Sequence, residues 1–395
     1  MDAARIRKTA EEYKESILHD RRVLHRNPET GMNLPKTTAY IHKRLSEMGY
    51  SPMSVGGGVV TTVGNGSEKC VLLRADADAL PIREKTNLSF ASQNGLMHAC
   101  GHDMHTAMLL GAAKLLKQYE SDLNGTVKLV FQPDEEGFHG AESMIENGVL
   151  QNPTPFCALA LHVHSGTPSG YILCGKEHFM AGCTSFRITV EGVGCHGAMP
   201  ETGVDPLFAA NQIYLALHEI SAREIPPKVP FCLTIGKMGG GDAPNVIPNK
   251  AFIEGTVRCF DDELAEHTVE RIKTISECTA QALRAEAKLE IPSSVPSLFN
   301  HPKTLSLASQ CAHELFGSDK VFEVAEGGMG SEDFSVYTKK VPCEYLLIGA
   351  GTQTENERYG KPMHNECVVF NEDILPDGAA LYAYFAMRAL EEKEK

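Results

Sequence analysis

Apolar positions recur at helical spacing from residue 3 to residue 26, which predicts one helix ending before Pro28. Short apolar runs follow at Val71 to Arg74, Val127 to Gln132 and Cys157 to Val163, and each reads as a buried strand. Between them, residues 102 to 119 set Met108, Leu109, Ala112, Leu115 and Leu116 on one helical face, and residues 141 to 147 predict a helix closed by Gly148. Strand and helix alternate, the pattern of an α/β domain with a mostly parallel sheet covered by helices.

The order changes at about Cys183. Phe186 to Val190 alternates as a strand, residues 205 to 223 predict a helix, and Phe231 to Gly236 and Ala251 to Arg258 predict strands. A helix at about residues 263 to 283 and a strand at Ala287 to Ile291 complete a βαββαβ series, the order of a ferredoxin-like unit of roughly 110 residues. After Pro296 the first pattern resumes, with a helix from Pro302, a strand at Tyr345 to Ile348 and a long final helix from about Ala379. The expectation is therefore a discontinuous first domain, residues 1–181 and 296–395, with residues 182–295 inserted as a second one.

Charge removes two classes of partner. The 395 residues carry 37 Lys plus Arg against 51 Asp plus Glu, a net charge of −14 that repels nucleic acid phosphates and anionic lipid surfaces. No apolar run approaches the roughly 18 residues that span a bilayer, and the first twenty residues are polar and amphipathic, so a cytoplasmic protein is expected. Twelve cysteines are too sparse for a small disulfide scaffold, and several lie in apolar surroundings, so reduced thiols are expected.

The candidate chemistry is concentrated in the first pattern. His98-Ala99-Cys100-Gly101-His102-Asp103-Met104-His105 puts five side chains able to bind a metal where a loop enters a helix. In an extended loop Cys100 and His102 project to the same side and can share an ion, while Asp103 and His105 suit an orienting role. The plainer alternative is a buried cysteine among helix-surface histidines. Glu135 and Glu136 stand at the C-terminal end of a predicted strand, where open α/β sheets carry their sites, and as neighbours they point apart. One can hold a metal while the other serves as general base, although a solvated Glu-Glu pair is the commoner arrangement. His162 ends the strand begun at Cys157, and His364 follows a polar loop. Cys100, His102, Glu136, His162 and His364 together offer N, S and O donors suited to zinc, manganese, cobalt or nickel. Five donors exceed what one tetrahedral structural zinc needs, which points to two metals. In the inserted domain His196 centres a Gly-rich loop that no phosphate-loop GK[ST] follows. Arg258 closes a strand beyond Asn245, and its fork suits a substrate carboxylate as well as a surface ion pair.

With these residues in hand, the sequence resembles the metal-dependent amidohydrolases that include aminoacylases, hippurate hydrolase, N-acetyl-diaminopimelate deacetylase and auxin-conjugate hydrolases. The resemblance runs over nearly the whole chain, through RADADALP, MHACGHDMHT, FQPDEEG, LHV, GCHGAMP, NVIPNKAFIEGTVR, GSEDF and PMHN. It implies a binuclear catalytic domain and a ferredoxin-like lid that makes a homodimer contact. It also implies that Cys100, His102, Glu136, His162 and His364 hold two divalent ions and that Glu135 is the general base and acid. His196 is implied to stabilise the oxyanion, Asn245 and Arg258 to hold the carboxylate of the leaving amino acid, and Ser331 to lie in the substrate-binding loop. Cys195 before His196, Glu201 after the GAMP loop, and Asn365 with Glu366 after His364 depart from the commonest pattern, and none of them removes a ligand.

The expected reaction is hydrolysis of the amide of a small N-acyl amino acid by activated water. The rivals are a dipeptidase or carboxypeptidase acting on short peptides, a non-catalytic metal or small-molecule binding protein, and a Cys100-nucleophile hydrolase that needs no metal.

Overall fold

The N-terminal amphipathic stretch folds as two helices, α1 (Ala3–Glu12) and α2 (Lys14–Arg26), separated at Tyr13, whose φ of −93° and ψ of 0° leave the helical basin. Asp2 caps α1 by accepting from the Ala4 amide. The computed structural model describes residues 2–66, 69–325 and 327–392. The chain divides into two compact units, the first made of Met1–Phe179, Phe299–Gly327 and Val336–Lys395, the second of Met180–Leu298 with Gly328–Ser335.

In the first unit α3 (Pro35–Glu47) leads to β1 (Met53–Val55), β2 (Gly58–Gly64) and β3 (Cys70–Asp76), then α4 (His102–Gln118), β4 (Thr126–Gln132), α5 (Gly140–Glu146), β5 (Pro155–His164), β6 (Ile172–Gly175) and β7 (Glu177–Met180). The second unit supplies β8 (Gly182–Glu191), β9 (Cys195–His196), α6 (Pro206–Glu219), β10 (Phe231–Gly240), β11 (Val246–Ile247), β12 (Lys250–Cys259), α7 (Asp262–Ala282) and β13 (Glu286–Val295). After β14 (Leu298–Asn300) the chain continues with α8 (Pro302–Phe316), β15 (Val321–Val324), α9 (Ser335–Thr338), β16 (Cys343–Gly349) and α10 (Leu375–Glu391).

The first unit is built on an eight-stranded sheet in the order β1-β2-β4-β3-β5-β16-β6-β15. Its central neighbours β4, β3, β5 and β16 run parallel, and antiparallel pairs β1/β2, β2/β4 and β16/β6 lie outside them. Every residue of β3 and β4 is buried, which is why these strands read as continuous apolar runs without alternation. Helices α4 and α10 pack together inside this core, and Leu109, Leu110, Leu115, Leu381 and Phe385 are fully buried, each worth about 2 kcal/mol relative to exposure. Parallel strands deliver their C-terminal ends to one side, and β3, β4 and β5 there lead into the candidate chemistry.

The second unit is a four-stranded antiparallel sheet, order β10-β12-β8-β13, with α6 and α7 packed on one face. Phe186, Ile188, Val190, Ala251, Ile253 and Val257 meet Ile213, Leu217 and Ile272 there. Arg187 and Glu254 alternate to the other face and pair with each other. The helix predicted to Arg223 ends as α6 at Glu219 and continues as a wider π-type turn over Ile220–Glu224. Among the described residues no helix is long and apolar enough to cross a membrane.

Candidate metal centre

The loop entering α4 has to turn sharply while touching the end of β5. Gly101 does this at φ 89°, and a Cβ there would lie 2.4 Å from Cγ2 of Val163. Glycine is therefore required between Cys100 and His102. Beyond β4, Asp134 at φ 51° and Phe138 at φ 62° fold residues 133–140 into a tight turn that sets Glu135 and Glu136 at the strand end. A Cβ on Gly140 would lie 1.6 Å from the Pro133 carbonyl oxygen, so this turn too depends on glycine. His364 takes φ 63°, an uncommon conformation for a side-chain-bearing residue, and its amide donates to the Ala99 carbonyl at 3.0 Å. That bond ties the last donor to the Cys100 loop, 264 residues away along the chain.

These backbone arrangements bring the five donors anticipated from the sequence together. Cys100 Sγ lies 3.5 Å from His162 Nε2 and 3.3 Å from His364 Nε2, and His364 Nε2 lies 3.2 Å from Glu136 Oε1. Cys100, His102 and His162 can present ligand atoms within 4.8 Å of one another, and so can Cys100, Glu136 and His364. Cys100 thus belongs to two three-donor sets. Glu135 is buried, with Oε2 3.8 Å from His102 Nε2, and falls in a further set with His102 and Glu136.

The residues fit a pair of cations. The buried Nε2 of His102 has no hydrogen-bond partner, while its Nδ1 is engaged by Asp78 at 3.1 Å, so the free nitrogen is the one that faces the cluster. Hydrogen bonds to Cys100 and Glu136 push the His364 pKa up to about 10. Burial and the neighbouring Glu136 push the Cys100 thiol up, and a bound divalent ion reverses that preference by favouring the thiolate.

The other members of the sequence cluster turn elsewhere. Asp103 points away from the donors and meets Arg21 Nε at 2.7 Å and His25 Nδ1 at 2.8 Å. His98 is fully buried with neither ring nitrogen bonded, and burial pushes its pKa down to about 3. His105 is bonded to Asp76. Asp76 and Asp78 were not assigned from the sequence, although two aspartates alternating into the end of an apolar strand were the available signal. In the second unit Val246 pairs with His196 across β9 and β11, and the Gly197 amide donates to the Asn245 carbonyl at 2.8 Å, so His196 and Asn245 are neighbours and both exposed. Arg258 Nη1 donates to the Met329 carbonyl and to Ser331 Oγ, each at 3.0 Å.

The chain is similar to known proteins in sequence and fold. Residues 72–388 match the model of peptidase family M20/M25/M40. The chain is 36% identical over 381 residues to the IAA-amino acid hydrolase ILR1-like 2 of Arabidopsis thaliana, covering 94% of this chain and 85% of that protein. Against the hippurate hydrolase of Campylobacter jejuni it is 36% identical over 381 residues, covering 95% and 96%. The crystal structure of YXEP from Bacillus subtilis, described as a dinuclear metal binding peptidase of the M20 family, superposes with a TM-score of 0.79 at 32% identity over 96% of this chain and 99% of that one. A donor cluster built for divalent ions, a matching fold and this sequence identity make one statement: the chain belongs to peptidase family M20/M25/M40 and is a hydrolase of amide bonds.

Proposed function

We propose that this chain hydrolyses N-acyl amino acids to a carboxylic acid and a free amino acid. The observation that carries the proposal is the shared sulfur, Cys100, common to two donor sets with Glu135 beside them. The relatives support the substrate class, for one is named for amino-acid conjugates and the other for hippurate, itself an N-acyl amino acid. We assign Cys100, His102, Glu136, His162 and His364 as the side chains that would hold two divalent ions, zinc, manganese, cobalt or nickel.

Such ions, when bound, lower the pKa of water and polarise the amide carbonyl. Glu135 manages the proton: its carboxylate takes one from the attacking water and returns it to the leaving nitrogen as the C–N bond breaks. His196 Nδ1 accepts the Ala198 amide at 3.0 Å, so the ring proton sits on Nε2, and that N–H is the donor assigned to the carbonyl oxygen as charge develops. Arg258 bonds Met329 and Ser331 through Nη1, and the rest of its fork, with Asn245 and Ser331, is assigned to the carboxylate of the amino acid.

Two further assignments have their own support. β10 is an edge strand, and α6 beside it exposes Phe208 and Leu215, which supports a homodimer through the second unit. All twelve cysteines are free, which supports the reducing cytoplasm as its compartment.

The test is release of free amino acid from N-acetyl, N-benzoyl and longer N-acyl amino acids and from dipeptides, using chelator-stripped enzyme with and without each metal. Release from acylated substrates, restored by metal, is the expected result. Cleavage of dipeptides alone would hand the assignment to the peptidase reading, and activity surviving metal removal would move it to a cysteine nucleophile. Glu135→Gln should keep two ions per chain and lose about 10²–10⁴ in kcat; a near-normal rate would remove Glu135 from the mechanism.

A further inference from the structure

Behind His162 lies a buried chain of polar groups in which each hydrogen-bonding direction is determined. Arg74 is fully buried and donates from Nη1 to Asp76 Oδ2 at 2.7 Å and from Nε to Gln132 Oε1 at 3.0 Å. The other oxygen of Asp76, Oδ1, meets His105 Nδ1 at 2.5 Å. On the far side of the ring, Nε2 of His105 accepts the Val163 amide at 2.9 Å. A backbone N–H can only donate, so His105 Nε2 carries the lone pair and Nδ1 carries the proton that Asp76 accepts. The Val163 carbonyl in turn accepts from His162 Nδ1 at 2.7 Å, which in the neutral ring places the lone pair on Nε2, turned toward Cys100 Sγ. The rings of His105 and His162 are also in contact, with centroids 4.3 Å apart.

We infer that Asp76 and His105 are a positioning pair that fixes the end of β5, and through the Val163 backbone sets the tautomer and direction of His162 for one of the two ions. The inference rests on the two-ion reading of the Cys100 cluster. Neither residue has to touch an ion. His105 offers no free ring nitrogen, since both are occupied, and Asp76 has each oxygen engaged. Hydrogen bonds of this kind behind a ligand typically change metal affinity 10–100-fold when lost. The effect should be one-sided, because His162 belongs to the set with Cys100 and His102 and not to the set with Glu136 and His364.

The experiment is a zinc titration of metal-free protein in competition with a chromophoric chelator, on the full chain and on two variants of His105. His105→Phe keeps a ring of similar size and removes both bonds, whereas His105→Gln keeps an acceptor for the Val163 amide. The Phe variant should bind one of its two ions about 10–100-fold more weakly and the other with nearly wild-type affinity, and the Gln variant should recover most of that loss. Wild-type affinity for both ions in the Phe variant, or a Phe variant that binds better than the Gln variant, would overturn the inference and leave His105 a packing residue. Equal weakening of both ions in a folded Phe variant would overturn it as well, since that is general loosening. If His105→Phe fails to fold, Asp76→Asn is held to the same one-sided criterion. A wild-type chain that takes up fewer than two ions would refute the two-ion reading itself, an outcome distinct from all of these.

Discussion

Two buried ionisable side chains of the central sheet show how much the surroundings of a charge decide. Lys128 on β4 is 2% exposed, and its ammonium donates to the carbonyls of Val149, Gln151 and Pro153, each at 2.8 Å, so the charge is solvated by backbone. Glu344 on β16 is equally buried, and neither of its carboxyl oxygens has a hydrogen-bond partner. Burial alone pushes that carboxyl well above its ordinary value of 4.5. The sign of the linkage follows. Above pH 4.5 the unfolded chain has released this proton and the folded chain has not, so its contribution to stability falls as pH rises, by up to about 1.4 kcal/mol per pH unit, until the folded group ionises. Glu344→Gln removes that slope. Urea unfolding should show the variant gaining on the wild type as pH rises above 4.5, and a stability difference independent of pH would mean that Glu344 is ionised or solvated in the folded chain.

At the scale of elements, α2 is joined to the start of α4 by charge. Arg21 and Asp103 are both fully buried and 2.7 Å apart, His25 bonds to Asp103 and to Glu84, and Glu372 accepts from Arg21 and Arg22. Removing one partner of such a pair strands the other, at about 3–5 kcal/mol, whereas removing both charges costs much less. Arg21→Met should therefore destabilise by that amount, with Glu372 still held by Arg22, and adding Asp103→Asn should recover most of the loss in a double-mutant cycle. Additive losses would mean that the two side chains do not interact. The same elements mark what the sequence makes legible. α4 and β8 could be read because one carries an apolar helical face and the other alternates strictly. β6 and β15 could not, being four residues long and lacking a sustained pattern. The break at Tyr13 was invisible, since no Gly or Pro marks it and the helical spacing runs through it. In the site, Cys100 and His102 stand out by their crowding at a helix entry, whereas Glu136, His162 and His364 join them only through their placement at the ends of separate elements of one domain. Asp76, Asp78 and Arg74 act through partners distant in sequence, His105, His102 and Gln132 respectively, and only the fold brings those together.

For the molecule as a whole, the donors stand on four separate stretches of one unit: the entry to α4, the turn after β4, the end of β5 and the loop before α10. On the proposed assignment, ions bound there would cross-link elements that are otherwise held by packing, and would favour the folded chain that assembles the donors. Each stabilises it by roughly 3 kcal/mol when free ion exceeds the dissociation constant about 100-fold. The second unit has a core of its own around Phe186, Ile188 and Ile253 and contributes none of the five donors. Chelation should therefore loosen the chain unevenly. Amide exchange followed by mass spectrometry should quicken in peptides spanning residues 97–110, 130–140 and 158–166, and stay unchanged in peptides from β8 and β12, because local opening reports local free energy. Readdition of zinc or manganese should restore protection to the first group. Uniform quickening across both units would mean that the two fold as one cooperative block whose stability the ions set, and no change at all would mean that packing alone holds the donor loops in place.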